Sequence, residues 1–326
     1  MKKFLKKLAK VLAVFIFEIA YILGLGIYLI YYTDMFTTTR DMIVTTSMTT
    51  MTHQYFATWF LSDEKINEIL ASNRLTNETE EQSLEDIEIA EIEEDNSGSK
   101  EGIEVIPIET DSFKAYLMII DDPSRVELVT SPDVGIVGST TSQIVEYYGA
   151  IAGINAGGLA DDAYGTGADP TGLLIIDGQH YNDINYYDYH SMCGFTQDNK
   201  LYVSDSISRA SIDALNLRCA VSFGPALIVN GTPRISGGGG WGIQPRTCIG
   251  QRQDGAVLFL VIDGRQKDSV GATLKHAQDI LLNYGAYNAF NLDGGASSTM
   301  VFDGALVNNP SDIAGERYVP TAFIVK

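Results

Sequence analysis

The chain of 326 residues is long enough for one substantial globular domain preceded by a short N-terminal region. Its 42 acidic and 22 basic side chains give a formal net charge of -20 at pH 7. Such a surface repels the phosphate backbone of nucleic acid, so we expect no nucleic-acid partner. An anionic ligand must instead be bound by a few well-placed cations.

The first 32 residues have the pattern of a membrane anchor. Residues 11–32 are mostly apolar, and a helix of this length crosses a hydrocarbon core of about 30 Å. Residues 1–10 contain five lysines, which predict a cytoplasmic tail and a single-pass cell-membrane protein whose remaining chain is extracytoplasmic. A cleaved signal peptide is the competing interpretation, but the bulky Tyr28 and Tyr31 argue against a cleavage site.

Two segments separate the predicted transmembrane helix from the predicted domain. Residues 33–75 are predicted to form a membrane-proximal stalk, in which residues 53–70 have an amphipathic helical pattern and residues 37–52 are rich in Thr and Met. Residues 76–104 are dominated by Glu and Asp, with Lys100 as their one cation. Because this composition offers little apolar surface to bury, we predict an acidic, disordered linker.

Residues 105–326 are predicted to form one α+β domain. Its strand candidates are separated by Asn-Gly and Asp-Gly turns, which favour antiparallel neighbours. We therefore expect a mixed, mainly antiparallel sheet with few helices. The strand candidates are 113–120, 173–177, 226–229, 257–262 and 319–325, and the helix candidates are 141–148 and 273–284.

The cysteines do not suggest a disulfide scaffold. There are three of them, Cys193, Cys219 and Cys248. Buried thiols are the favoured interpretation, and a bridge between Cys219 and Cys248 is the alternative. Cys and His do not follow a metal-ligand spacing, so we expect neither a metal ion nor a cofactor. A calcium site at the clustered Asp169, Asp177 and Asp183 is the alternative.

The densest cluster of polar residues and glycines follows the strand-like residues 287–290. It runs from Asn291 to Met300 and contains Asp293, Gly294, Gly295, Ser297 and Ser298. Consecutive glycines allow a close backbone approach to a ligand, and the amides and hydroxyls after them can donate hydrogen bonds to an oxyanion. An ordinary Asp-Gly hairpin turn is the alternative for this segment taken alone.

Two arginines are predicted to lie at the same end of a hairpin. Arg246, followed by Thr247, begins one strand, and Arg265 follows the partner strand just after Asp263. Guanidinium groups bind phosphate oxygens bidentately, so the pair suggests a phosphodiester clamp, with surface ion pairing as the alternative. Asn155 ends a further strand before two glycines and is a candidate to bind sugar hydroxyls.

Taken in order, these segments resemble the phosphodiester glycosidase family. The matching segments span the whole predicted domain, whereas Ala296 and the tyrosine-rich residues 181–189 depart from the family pattern. The first departure changes little, and the second leaves the identity of the sugar open. The matching segments are 155–158, 170–172 with 177–178, 223–226, 245–250, 263–265 and 291–300, with Arg317 and 319–321 near the end.

The resemblance implies a hydrolase that releases a sugar similar to N-acetylglucosamine from a sugar-1-phosphodiester. The predicted outward orientation suggests a cell-wall or exopolysaccharide glycopolymer as the substrate. A non-catalytic sugar-phosphate-binding protein and a structural envelope protein are the alternative functions.

The implied mechanism assigns roles to the candidate residues. Arg246 and Arg265 are expected to stabilise the departing phosphate, and Asp293 to activate water or stabilise the sugar cation. Asp263 either exchanges roles with Asp293 or orients Arg265. Residues 236–242 are either a mobile flap or an inert linker. The candidates for sugar and phosphate contacts are Asn155, Thr247, Asn291, Gly294, Gly295, Ser297 and Ser298.

Overall fold

The computed structural model describes residues 2–48, 54–72, 82–89, 100–160, 166–181, 189–236 and 241–326. The chain divides into two compact units, Met1–Arg74 and Leu75–Lys326.

The first unit is helical. Its α-helices are α1 (Lys2–Tyr32), α2 (Thr37–Met48), α3 (Tyr55–Thr58) and α4 (Asp63–Ser72). Within α1, Lys10–Tyr32 is long and apolar enough to cross a membrane, a property that signal sequences share. Val44 of α2 packs with Ala57 of α3 and with Ile66 and Ile69 of α4.

The second unit is built from short strands and three α-helices among its described residues. In chain order they are β1 (Ile103–Glu109), β2 (Lys114–Ile120), β3 (Val126–Thr130), α5 (Thr141–Tyr147), β4 (Ala152–Asn155), β5 (Leu174–Ile176), β6 (Gln179–His180), β7 (Tyr189–Phe195), β8 (Leu201–Ser208), α6 (Arg209–Leu215), β9 (Cys219–Ser222), β10 (Ala226–Val229), β11 (Thr232–Pro233), β12 (Arg246–Arg252), β13 (Val257–Ile262), α7 (Leu274–Asn283), β14 (Ala286–Asn291), β15 (Met300–Phe302), β16 (Ala305–Leu306) and β17 (Thr321–Val325).

The strands form three sheets, and each strand pairing among the described residues is antiparallel. The first sheet has the order β1-β2-β13-β12-β14-β10-β11, the second β16-β15-β4-β17-β3, and the third β6-β5-β9-β7-β8. The turns at 230–231, 254–255 and 303–304 connect hairpins, as predicted. The predicted α+β class with a mainly antiparallel sheet is therefore confirmed.

Strand β13 is apolar at every position because both of its faces are buried. Phe259, with its neighbours two residues away on either side, joins the core that contains Phe195, Phe290 and Phe323 of the three sheets. Leu258 and the alternate residues after it face the second core, beneath α7. Because successive side chains of a strand point to opposite faces, a strand covered on both faces needs apolar residues at every position.

Part of the predicted acidic linker packs against the domain. Gln82 donates from Nε2 to the Leu201 carbonyl and accepts from the Val203 amide, while the Glu88 amide donates to the Gln253 carbonyl. The side chain of Ile87 is buried. Residues 82–89 are therefore ordered, unlike the disordered linker predicted for the whole acidic segment, and residues 76–81 and 90–99 lie outside the described residues.

All three cysteines are free and buried, so the alternative Cys219–Cys248 bridge is not formed. Burial raises the pKa of the Cys248 thiol to about 12. These thiols act as small apolar core residues.

Candidate active site

The candidate site lies where β4, β12, β13 and β14 end or begin together. Arg246 at the start of β12 is paired with Ile262 at the end of β13, and Cys248 is paired with Asn291 at the end of β14. The loop after β14 is held by hydrogen bonds from the Leu292 amide to the Thr247 carbonyl and from the Asp293 amide to the Ala156 carbonyl. The register thus brings the predicted arginines and the glycine-rich loop to one end of the sheet.

Two glycines let this loop approach the arginines. A Cβ atom at Gly294 would lie 2.7 Å from the Pro245 carbonyl oxygen, so a larger residue does not fit. Gly295 has a φ of +63°, and a Cβ there would lie 3.2 Å from Nη2 of Arg265. The guanidinium of Arg265 therefore rests directly on the glycine loop.

Arg246 is a buried cation whose hydrogen-bond partners are carbonyl groups. Its side chain is 4% exposed. Nε donates to the Ala272 carbonyl at 3.1 Å, and Nη2 donates to the carbonyls of Trp241 at 3.1 Å and Gly242 at 2.7 Å. Burial lowers the pKa of the Arg246 guanidinium to about 10, and the nearby charge of Arg265 contributes to the shift.

Arg265 stands on the exposed rim of the site. Its Nη2 donates to Gln244 Oε1 at 2.7 Å. Partial desolvation lowers the pKa of the Arg265 guanidinium, and the positive charge of Arg317 lowers it further. In the part of the chain that the structure describes, neither Arg246 nor Arg265 forms a salt bridge. An anion that bound between these two guanidinium groups would interact favourably with both.

Three consecutive buried hydroxyl groups line the loop after the glycines. Ser297, Ser298 and Thr299 are each about 1% exposed. Their hydroxyl oxygens have no hydrogen-bond partner among the described residues. Buried polar groups are normally paired, so three orphaned hydroxyls in a row indicate a place for a polar ligand or ordered water. Thr299 was not predicted as a contact, although it directly follows the two serines that were.

Asn155 organises the site from beneath. Its Nδ2 donates to the Asp293 carbonyl at 2.6 Å, and its Oδ1 accepts from Thr247 Oγ1 at 2.8 Å and from the Thr299 amide at 3.1 Å. Asn155 and Thr247 are both fully buried. This geometry differs from the predicted direct contact with sugar or phosphate, because their hydrogen-bonding groups are used to hold the loop.

Asn291 is likewise turned into the protein. Its Nδ2 donates to the Gly224 carbonyl at 2.7 Å, and its Oδ1 lies 3.7 Å from the thiol of Cys248, which donates to it. The side chain therefore fixes the loop after β9 to the end of β14. The predicted sugar contact by Asn291 is replaced by this positioning contact.

Asp263 is a buried carboxylate whose two oxygens are both occupied. Oδ1 accepts from Asn308 Nδ2 at 2.9 Å and from the Asn309 amide at 3.1 Å, and the same amide lies 3.2 Å from Oδ2. Asn308 also donates to the Ser298 carbonyl and accepts from the Met300 amide. Burial raises the pKa of the Asp263 carboxyl. Asp263 therefore shapes the loop through Asn308, a residue that no sequence pattern had singled out.

Asp293 is the acid that solvent reaches. Its backbone is fixed on both sides by the contacts to Ala156 and Asn155, and its side chain is only half-buried. The structure thus separates the two candidate acids by exposure: Asp293 lies at the surface of the site and Asp263 behind it. Of the predicted flap, residues 237–240 lie outside the described residues, as do residues 182–188 of the tyrosine-rich segment.

The sequence profile of the family described as phosphodiester glycosidase matches residues 148–326, which is more than half of the chain. A prophage-derived protein of Bacillus subtilis strain 168 is 32% identical over 183 residues, covering 54% of this chain and 28% of the relative. N-acetylglucosamine-1-phosphodiester alpha-N-acetylglucosaminidase of Bos taurus is 40% identical over 70 residues, or 22% of this chain and 13% of that enzyme. The chain thus covers less than a third of either relative.

The fold has counterparts among solved structures. The catalytic domain of the zebrafish N-acetylglucosamine-1-phosphodiester alpha-N-acetylglucosaminidase superposes with a TM-score of 0.56 and 21% identity, covering 68% of this chain and 81% of that domain. A protein of Burkholderia pseudomallei superposes with a TM-score of 0.51 and 17% identity, covering 65% of this chain and 74% of the other. At these identities the likeness establishes the fold alone. Because the family profile matches residues 148–326, the chain belongs to the phosphodiester glycosidase family.

Proposed function

We propose that the chain hydrolyses a sugar-1-phosphodiester, releasing a free sugar similar to N-acetylglucosamine and a phosphate monoester. One observation carries the proposal: two arginines without salt bridges among the described residues adjoin a glycine loop with three orphaned buried hydroxyls. Such a site offers charge and hydrogen bonds to a phosphodiester, and a half-exposed acid lies beside it.

The arginines would act mainly on the leaving group. Cleavage at the anomeric carbon passes through an oxocarbenium-like transition state while negative charge collects on the phosphate oxygens. Fixed cations in a water-poor site stabilise that charge without reorganisation. Arg246, held by carbonyls, and Arg265, resting on Gly295, fit this role. The proposed reaction needs water and these side chains, and it includes no metal or cofactor.

Asp293 would act on the sugar side. Its carboxylate is positioned by a fixed backbone and is accessible to water, as a general base or an electrostatic partner of the sugar cation must be. Asp263 would serve as a positioning residue, because its oxygens already bind Asn308 and Asn309. This difference supports Asp293 rather than Asp263 as the residue that acts on the sugar.

We further propose that α1 anchors the protein in the cell membrane with its basic tail in the cytoplasm. The support is the apolar run Lys10–Tyr32 and the five lysines within residues 1–10. An extracytoplasmic domain would meet cell-wall or exopolysaccharide glycopolymers. Protease added to intact cells should then digest residues 75–326 and spare the tail, whereas protection of the domain would contradict this orientation.

The reaction is tested by incubating the full chain with a panel of methyl diesters of sugar-1-phosphates and measuring the free sugar and methyl phosphate released. Wild-type protein is expected to cleave at least one diester. Asp293→Asn should lower kcat by at least about 100-fold with KM within about threefold, because general-base catalysis contributes roughly 10²–10⁴. Full activity in the variant would remove Asp293 from the mechanism, and binding without turnover in the wild type would favour a sugar-phosphate-binding module.

A further inference from the structure

An aromatic pair borders the candidate site without a role in the reaction described above. The rings of Phe223 and Trp241 meet edge to face, with centroids 6.1 Å apart and an interplanar angle of 75°. Trp241 is 38% exposed, although a large aromatic side chain is usually covered. Phe223 is half-buried behind it.

The backbone at Trp241 and next to Phe223 is hydrogen-bonded to residues of the site. The carbonyl of Trp241 accepts a hydrogen bond from Nη2 of Arg246. Gly224, directly after Phe223, accepts through its carbonyl from Nδ2 of Asn291. The backbone that carries the two rings is therefore held by Arg246 on one side and by Asn291, at the end of β14, on the other.

The backbone at Trp241 is held in an unusual conformation by the same cation. Trp241 has a φ of 53° and Gly242 a φ of 63°, both in the left-handed region. Nη2 of Arg246 bonds both carbonyls. A bulky residue in this region is uncommon, and here the guanidinium fixes the segment that presents the indole.

We propose that the exposed face of Trp241, backed by Phe223, is the surface on which the sugar ring of the substrate stacks. The inference rests on the proposed function and extends it by naming the surface that contacts the sugar, a pyranose ring whose C–H face is apolar while its edge is polar. An indole offers a broad, rigid apolar surface of matching size at low conformational cost. Arg246 then serves both halves of the substrate, binding the phosphate and positioning the sugar platform.

The chain offers a matched control for this idea. It contains two tryptophans, and the other, Trp59, is exposed in the first unit. In the full chain, Trp241→Ala is expected to raise KM for the methyl diester of N-acetylglucosamine-1-phosphate about tenfold while kcat changes less than about threefold. Trp241→Phe should recover most of the loss, and Trp59→Ala should leave KM unchanged. An unaltered KM in Trp241→Ala would overturn the proposal.

A spectroscopic measurement keeps the proposal testable without turnover. In full-chain Trp59→Phe, excited selectively at the red edge of the tryptophan absorption, the tryptophan emission comes from Trp241 alone, so titration with N-acetylglucosamine-1-phosphate should change it saturably. Inorganic phosphate alone should cause a smaller change, because it lacks the ring. Emission that does not respond to the sugar phosphate would contradict stacking. If no diester is hydrolysed but the emission still responds to the sugar phosphate, the proposed reaction is contradicted while stacking of the sugar on Trp241 is supported.

Discussion

The two ends of the seven-stranded sheet differ in how completely their buried polar side chains are hydrogen-bonded. At the end away from the site, Gln251 accepts from the Leu201 amide and donates to the carbonyls of Asn199 and Gly255. Asn288, on the neighbouring strand, accepts from the Asn230 amide and donates to the Leu201 carbonyl. This end is saturated, and residues 82–89 cover part of it.

At the site end, three buried hydroxyl groups lack hydrogen-bond partners and two arginines lack salt bridges among the described residues. Ser297, Ser298 and Thr299 are as buried as Gln251, yet their hydroxyls lack partners among the described residues. Arg246 is buried against carbonyls rather than a carboxylate. An unpaired buried polar group destabilises a fold by roughly 1–3 kcal/mol. Several such groups together are therefore expected where a bound ligand forms the missing hydrogen bonds. The contrast supports placing the proposed ligand site at this end of the sheet.

The largest expected effect is at the rim arginine. Arg265→Ala removes the cation that rests on Gly295, so both ground-state binding and transition-state stabilisation should suffer. We expect kcat/KM for a sugar-1-phosphodiester to fall at least about 1000-fold, as steady-state kinetics would measure. Arg265→Lys keeps the charge but lacks the planar, bidentate guanidinium, so it should retain more of the wild-type kcat/KM than Arg265→Ala does. A loss of less than about tenfold would contradict the phosphate clamp.

The opposite end should respond in stability instead of activity. Gln251→Ala leaves the amide of Leu201 and the carbonyls of Asn199 and Gly255 without their partner. We expect the free energy of unfolding to fall by about 3 kcal/mol in a urea titration, with KM unchanged. A variant of normal stability and impaired KM would break the distinction between the two ends.

Alkaline pH should weaken the site through Arg246. The pKa of its guanidinium is lowered to about 10 by burial, and a guanidinium is charged below its pKa and neutral above it. Raising the pH through about 10 therefore removes charge from the free enzyme, and kcat/KM should fall about tenfold per further pH unit. Because bound phosphate favours the charged form, kcat should decline at a higher pH. A flat kcat/KM profile to pH 11 in still-folded protein would oppose the assignment.

The smallest effect is expected at an orphaned hydroxyl. Ser298→Ala removes a group that has no partner to lose within the described chain, so the free energy of unfolding should stay within about 1 kcal/mol or rise. Ligand binding should nevertheless weaken, with KM rising about fivefold, the size of one neutral hydrogen bond. Loss of stability with normal KM would show that the hydroxyl serves the fold.

The fold was largely predictable because its strongest signals are local. The continuous apolar run of β13, the Asp-Gly turn before it and the periodic α7 each follow from nearby residues. Helix α2 was missed because threonine is a poor helix former, yet Thr45 and Thr46 bond carbonyls one turn back. The packing of residues 82–89 was missed because the acidic composition of the whole segment outweighed the signal of the single buried residue Ile87.

The neighbourhood of the candidate-site residues could be predicted from the sequence, but their individual contacts could not. The hairpin register fixes Arg246 and Arg265 at one end, so their proximity followed from spacing. The inward turn of Asn155 did not follow, because its partners lie 92 to 144 residues away in sequence. The same holds for Asp263, whose contact with Asn308 spans 45 residues. Sequence spacing therefore identified the polar residues, but it could not show which of them form their hydrogen bonds within the protein.

The most direct test is calorimetric binding of an intact sugar-1-phosphodiester to the full-chain Asp293→Asn variant, in which slow turnover preserves the ligand. We expect saturable binding that inorganic phosphate displaces. Adding Arg265→Ala should weaken it at least about tenfold, whereas adding Gln251→Ala should leave it unchanged. Binding that survives the loss of Arg265, or that is weakened equally by the change at Gln251, would contradict a ligand site at the unsaturated end of the sheet.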